Sequence, residues 1–362
     1  MEILKRILLI FFILFSSLLF SQSIPKKALY WKKLDSNRVQ CLLCPRKCIL
    51  RDGQRGVCGV RINKHGILYT LGYGNPVAVH IDPIEKKPFF HVFPGAKTLS
   101  LAVAGCNMRC KFCQNWLISQ SRPDETQNYI LSPKDIVELA IKYNCEFIVF
   151  TYTEPTVFYE YMLDIAKLAK KRGLKTAMHT CGYINPAPLK ELLKYLDAVN
   201  VDLKGFNEEF YQNMGAYAKL EPVLETLKII KKSGVWLEIT NLVIPGLNDS
   251  EQEIRKMCEW IKENLGTDTP LHFSRFFPAY KLRNLPPTPI STLQKAYKIA
   301  KSVGLKYVYI GNVVGNPAES TYCPKCGKVL IERVGYKILK NNIVKGRCKF
   351  CGEKIPGIWR DE

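Results

Sequence analysis

Residues 104–115 read Ala-Gly-Cys-Asn-Met-Arg-Cys-Lys-Phe-Cys-Gln-Asn, setting Cys106, Cys110 and Cys113 in a C-x3-C-x2-C triplet just after the apolar run Leu99–Ala104. Three thiolates on a short loop at a strand end can hold three irons of a four-iron four-sulfur cluster and leave the fourth iron without a protein ligand. That vacancy is informative. Electron-transfer clusters normally have four protein ligands, whereas an open iron can bind a substrate or a second cofactor. A zinc knuckle completed by a distant ligand is the competing reading; the spacing, Phe112 and the preceding strand weigh against it.

Outward from the triplet, short apolar runs alternate with segments of helical period. The runs Leu99–Ala104, 146–151, 174–179, 198–203, 235–243, 271–276 and 306–310 predict strands. Helical periodicity covers 157–171, 188–195, 222–232, 250–264 and 292–302, and Ser132-Pro133-Lys134-Asp135 reads as an N-cap, a first-turn proline and a capping-box acid. Such alternation builds a parallel sheet with right-handed crossovers. Six or seven units predict an α/β fold: an open or partial (β/α) barrel. Polar motifs sit where strands end, at Thr151-Tyr152-Thr153-Glu154-Pro155-Thr156, His179-Thr180-Cys181-Gly182-Tyr183, Asp202-Leu203-Lys204-Gly205 and Pro245-Gly246-Leu247-Asn248-Asp249. Barrels of this kind keep their active sites at that rim.

Eleven of the 14 cysteines fall into three clusters, a spacing that favours metal ligation over disulfides and implies a reducing compartment. Cys41, Cys44, Cys48 and Cys58 provide four ligands, enough for zinc or an auxiliary iron–sulfur cluster. Cys323, Cys326, Cys348 and Cys351 form C-x2-C…C-x2-C with a glycine after each second cysteine, the pattern of a zinc ribbon. Cys145 and Cys258 read as small buried hydrophobes. His80 and His91 read as surface or satisfied core residues.

Lys and Arg number 53 against 32 Asp and Glu, a formal charge of +21. The basic residues are scattered, as in the pairs Lys170/Lys171 and Lys231/Lys232, which describes a basic solvated surface more than a nucleic-acid face. Residues 1–6 carry two positive charges, 7–20 are almost wholly apolar, and Ser21-Gln22-Ser23 is small and polar. This is the layout of a signal segment or a short membrane anchor. Lysines 26, 27, 32 and 33 follow it, and positive charge tends to stay cytoplasmic, but charges on both flanks leave the segment's orientation open; the expected catalytic domain is cytoplasmic, membrane-associated if residues 1–23 anchor it. The expected division is 1–23 (signal-like or anchor), 24–97 (cysteine-rich module), 98–317 (barrel) and 318–362 (ribbon-like module).

With these motifs the chain resembles the radical S-adenosylmethionine (SAM) superfamily, and within it the pyruvate formate-lyase activating-enzyme-like branch. It is most similar to the AmmeMemoRadiSam system radical SAM enzymes. The resemblance spans 28–359 and rests on Cys41-Leu42-Leu43-Cys44-Pro45-Arg46-Lys47-Cys48, Gly56-Val57-Cys58-Gly59-Val60-Arg61, the triplet, the Glu154 and Asp202 motifs, and Cys323 to Cys326 with Cys348 to Cys351. It implies that Cys106, Cys110 and Cys113 hold the SAM-binding cluster and that Glu154 engages the SAM amino group. Thr-Glu-Pro replaces the family's Gly-Gly-Glu, so backbone carbonyls could make that contact instead. Thr180 and Gly182 match the third-strand Asn-Thr-Asn-Gly motif, with His179 and Cys181 in place of both asparagines. Asp202 and Lys204 match an Asp-x-Lys element that contacts SAM or the substrate entry in activating enzymes; chemically, Asp202 can accept from ribose hydroxyls and Lys204 can complement a carboxylate.

By the same resemblance the protein is a radical SAM enzyme that reductively cleaves SAM to a 5′-deoxyadenosyl radical. The radical abstracts hydrogen from a substrate, in the activating-enzyme case a protein. A one-electron donor such as a flavodoxin or ferredoxin is implied, as are Memo-type and AMMECR-type partner proteins. Two other classes stand beside this reading: an RNA-modifying radical SAM enzyme, on net charge and the ribbon, and a non-catalytic metal-binding adaptor.

Overall fold

Apolar runs that are buried on both faces pair in parallel, and here they pair in chain order. The computed structural model describes residues 26–215 and 217–360. Its central sheet has eight strands: β1 (Ala78–Pro83), β2 (Lys97–Ala102), β3 (Phe147–Phe150), β4 (Lys175–Thr180), β5 (Ala198–Asp202), β6 (Trp236–Val243), β7 (Leu271–Arg275) and β8 (Val308–Gly311). Strands β2 to β8 run parallel, each beside its sequence neighbour, while β1 pairs antiparallel with β2 at one edge. Strand β3, Phe-Ile-Val-Phe, is buried at every position, as expected of a parallel strand covered on both faces.

The crossover helices are α1 (Pro133–Lys142), α2 (Tyr159–Lys171), α3 (Pro186–Leu193), α4 (Glu208–Met214), α5 (Glu221–Ser233), α6 (Glu251–Leu265) and α7 (Ile290–Val303). Ser132 and Asp135 form the capping box that starts α1, and Ser250 caps α6. The seven expected strands and the expected helices are all present, with ends shifted by a few residues. The sequence reading had missed β1 and α4. The expected division at 97/98 falls inside β2, one residue after its start, and separates most of that strand from β1, its partner along six residue pairs.

The barrel is open, with β1 and β8 as its two edges. Residues 84–96 and the C-terminal module pack at that opening. Phe90 meets Tyr307, Tyr309, Leu330, Ile331 and Ile355 in one buried cluster, Arg333 Nη2 donates to Phe90 O at 2.7 Å, and Val92 bridges to Ile358. The N-terminal residues form two small three-stranded sheets, which bring Cys41 and the Arg61–Lys64 strand against the barrel. Among the described residues no helix is long and apolar enough to cross a membrane, and the expected signal or anchor at 1–23 lies outside them.

A buried polar node fastens this closure. The Glu238 carboxylate on β6 accepts from Phe90 N at 3.0 Å, His91 N at 2.9 Å, Trp236 Nε1 at 3.0 Å and His272 Nε2 at 2.6 Å. His91 Nδ1 lies 2.7 Å from Pro356 O, which can only accept, so Nδ1 carries the proton and Nε2 accepts from Tyr309 OH at 2.6 Å. Burial pushes the His91 imidazole down to about 4, against the attraction of Glu238. The folded value lies below the ordinary 6.5, so the unfolded chain takes up the proton first as pH falls. His91 therefore contributes stability fully above pH ~6.5 and loses it as pH falls toward ~4, about 3 kcal/mol in all. Urea unfolding at pH ~7 and ~4.5 should show a smaller acid loss for His91→Gln than for the wild type; equal losses would refute this linkage.

Candidate active site

The C-terminal ends of β2 to β5 open into one cavity of about 800 Å³, lined by Cys106, Cys110 and Cys113 together with Glu154, Thr180, Asp202 and Lys204. Gly182 stands two residues behind Thr180, its N–H donating to Thr180 Oγ1 at 3.0 Å.

The cysteine loop is fixed mostly by backbone. Gly105 starts it at φ +109°, and a Cβ there would come within 2.6 Å of Cys58 O and 2.5 Å of Val60 Cγ2, so only glycine lets the loop pass. Gly105 N donates to Ile118 O at 2.9 Å, Asn107 Nδ2 to Tyr183 O at 2.8 Å and Lys111 N to Met214 O at 3.1 Å. Burial pushes the Cys110 thiol up to about 11 despite nearby Lys204, and pushes Cys106 well above its ordinary value, with Glu154 adding to the effect. Metal loading must therefore displace thiol protons.

Among the described residues, only Cys323, Cys326, Cys348 and Cys351 gather their ligand atoms within 4.8 Å of one another, as one ion requires. The triplet does not, which suits a cluster in which each thiolate takes a different iron.

Glu154 is buried, and its carboxylate ties the end of β3 to the end of β4. Oε1 accepts from Thr156 N at 3.1 Å, Thr156 Oγ1 at 2.6 Å and Thr180 Oγ1 at 2.7 Å, while Oε2 accepts from Cys181 N at 2.8 Å. Three donors thus crowd onto Oε1 while Oε2 accepts a single one and retains a lone pair. Asp202 is held from two sides, by His179 Nε2 on Oδ1 and Lys204 Nζ on Oδ2, both at 2.8 Å. Burial alone would raise the Asp202 carboxyl, but Lys204 and His179 hold it well below the usual carboxylate range. Against the same burial, Asp202 keeps the Lys204 ammonium charged. His179, one of the departures from the family motif, is therefore the partner that orients Asp202.

Sequence reasoning missed a second charged unit in the cavity wall. Asp82 on β1 receives Lys86 Nζ and Lys87 Nζ at 2.7 Å each, and the Tyr152 hydroxyl. Lys87 Nζ also sits 4.0 Å from the Tyr152 ring centre, and burial pushes Lys87 down to about 8 against the pull of Asp82. Lys86, Lys87 and Tyr152 line the cavity with Asp82 behind them, and no apolar alternation marks β1, so nothing in the sequence signalled this grouping.

The chain has relatives among known proteins. Residues 101–261 match the family described as the radical SAM superfamily. The chain is 51% identical over 332 residues to the uncharacterized protein MJ0808 of Methanocaldococcus jannaschii, covering 91% of this chain and 98% of that one. It is 28% identical over 178 residues to the pyruvate formate-lyase-activating enzyme of Clostridium pasteurianum, covering 47% of this chain and 71% of that one. A radical SAM methyltransferase structure from Sphaerobacter thermophilus aligns with a TM-score of 0.48 at 14% identity, over 66% of this chain and 71% of that one.

The chain belongs to the radical SAM superfamily. It is an enzyme of the kind that uses a four-iron four-sulfur cluster and SAM to generate a radical.

Proposed function

We propose that Cys106, Cys110 and Cys113 hold the SAM-binding cluster, and that Glu154, Thr180, Asp202 and Lys204 seat SAM beside it, with Gly182 acting from behind Thr180 through its N–H. The observation that carries this is the single cavity that the triplet shares with the rim of β3, β4 and β5. When bound, the cluster supplies one electron that cleaves SAM to methionine and the 5′-deoxyadenosyl radical. The chain's own residues bind, orient and exclude water. Lys204 complements the SAM carboxylate, and Asp202, kept ionised and aimed by His179, accepts from ribose hydroxyls. Glu154 and Thr180 hold the two strand ends in register, and Glu154 Oε2 keeps acceptor capacity for the SAM amino group.

The substrate we infer is a protein segment that gives up a hydrogen atom in the same cavity. The likeness to a protein named as a pyruvate formate-lyase-activating enzyme supports this. Cys323, Cys326, Cys348 and Cys351 bind one zinc, on their sulfur spacing and closed four-thiolate set.

The test is anaerobic reconstitution and mass spectrometry of 5′-deoxyadenosine, with and without a candidate protein substrate. Absence of deoxyadenosine from a fully loaded, reduced sample would sink the reading. Within it, Asp202→Ala and Lys204→Ala should each weaken SAM binding by about 1.5–3 kcal/mol, the range for hydrogen bonds to charged groups, or roughly tenfold and more. Equilibrium dialysis checks this, with the cluster absorbance as the control; wild-type affinity in both variants would remove the pair from the SAM site.

A further inference from the structure

Cys41, Cys44, Cys48 and Cys58 line a second, smaller chamber with Arg46, Gly56, Arg61, Asn107, Thr156 and others. Asn107 follows Cys106 and Thr156 lies two residues past Glu154, so the chamber backs onto the active-site loops. Asn107 Oδ1 also lies 3.8 Å from Cys181 Sγ, on the active-site side.

Two observations point to a ligand there. The first is Arg61, whose side chain is 2% exposed. Its Nη2 contacts both Glu160 oxygens at 2.7 Å and its Nη1 donates to Leu29 O at 3.2 Å, but Nε has no partner. A buried N–H without an acceptor is rare and costly, and this one belongs to a residue lining a chamber of thiols. The second is the spacing. The C-terminal quartet draws in as a single ion demands, with Cys323 and Cys351 Sγ 3.6 Å apart and Cys326 and Cys348 Sγ 3.8 Å apart. No three sulfurs of the N-terminal group gather within 4.8 Å, which is also true of the Cys106, Cys110 and Cys113 triplet.

About 20 Å³ of free volume stands between the N-terminal thiols. Metal–thiolate bonds of about 2.3 Å lie well inside van der Waals contact, so a ligated core also takes up space that the free thiols now fill. Gly56 presents bare backbone here: a Cβ at that position would stand 3.7 Å from both Cys48 Sγ and Cys58 Sγ.

We propose that Cys41, Cys44, Cys48 and Cys58 hold an auxiliary four-iron four-sulfur cluster rather than zinc, with Arg61 Nε as the hydrogen-bond donor to one of its sulfurs. All four irons of this cluster have protein ligands, so it binds no substrate. Hydrogen bonds to cluster sulfurs raise the reduction potential, which makes Arg61 a positioning residue whose effect is read as a potential.

The experiment starts from the full chain with Cys106, Cys110 and Cys113 all changed to Ala, so it does not depend on the reading given above for SAM cleavage. After anaerobic reconstitution this variant should keep about four irons and four sulfides per chain. Adding Cys44→Ser in the same background should remove or alter the cluster's absorbance and paramagnetic resonance signal. Metal held by the C-terminal quartet is common to both samples and cancels. One zinc in place of the iron, or iron content and spectra unchanged by Cys44→Ser, would overturn the proposal. Arg61→Gln combined with Glu160→Gln, which leaves no unpaired buried charge, should shift the remaining cluster to a more negative potential. An unchanged potential would overturn the role given to Arg61.

Discussion

Changing any one of Cys106, Cys110 and Cys113 to alanine should take 5′-deoxyadenosine formation to background while the barrel stays folded. In a site-differentiated cluster each thiolate holds its own iron, and the iron without a protein ligand is reserved for SAM. Loss of one thiolate exposes a second iron, and neither of the other two can replace it without leaving its own. No neighbouring residue rescues the site. Cys181, the nearest spare thiol by sequence motif, is buried, and that burial, with Glu154 beside it, holds its proton firmly. The fold should survive because Gly105, Asn107 and Lys111 anchor the loop through contacts that involve no sulfur. Mass spectrometry of the reduced, SAM-loaded variants checks the first half and far-ultraviolet circular dichroism the second. Wild-type turnover in any of the three would refute the ligand assignment.

What could be read from the sequence followed a physical division. Strands β2 to β8 were legible because each is an apolar run buried on both faces, and the triplet because ligand spacing is local. Strand β1 was not. Its residues Ala-Val-His-Ile-Asp-Pro leave His80 and Ile81 exposed at a sheet edge, and they pair only because the chain turns back through 84–96. The roles of Glu154 and Asp202 were half legible. Their types and positions marked the rim, but the partners that decide their chemistry, Thr180 and His179, lie 26 and 23 residues away. Strand register alone brings those pairs together. For the same reason the unit that Asp82 makes with Lys87 and Tyr152 was invisible: Lys87 lies only five residues from Asp82, but Tyr152 lies 70 residues away and meets it only across the sheet.

Stripping metal from Cys323, Cys326, Cys348 and Cys351 should unfold the C-terminal module and leave the open side of the barrel uncovered. Gly327 N donates to Cys323 O and Gly352 N to Cys348 O, both at 2.9 Å, so the two halves of the site make the same turn twice. Although burial opposes it, the amides of Phe350 and Cys351 hold the Cys348 thiol below its ordinary value, while the neighbouring Cys323 and Cys351 thiols are raised and must lose their protons to a metal. A closed four-thiolate zinc site supplies on the order of 10 kcal/mol of folding free energy in small zinc-binding units. The module has little else of that size, since Lys337–Asn341 is largely exposed. Its buried side chains Leu330, Ile331 and Ile355 share one cluster with Cys323 and Cys348 and with barrel residues Tyr307 and Tyr309. Glu319, Gly335 and Tyr336 line the active-site cavity, so loss of the module admits water to the place where a radical must be shielded. Hydrogen exchange after treatment with a strong chelator should show protection lost first in 321–355 and at the Val92–Ile358 bridge, with β3 to β6 still protected. Deoxyadenosine formation should fall in the same samples. Retained protection across 321–355, or simultaneous loss in β3 to β6, would show that these four thiols do not hold the module in place.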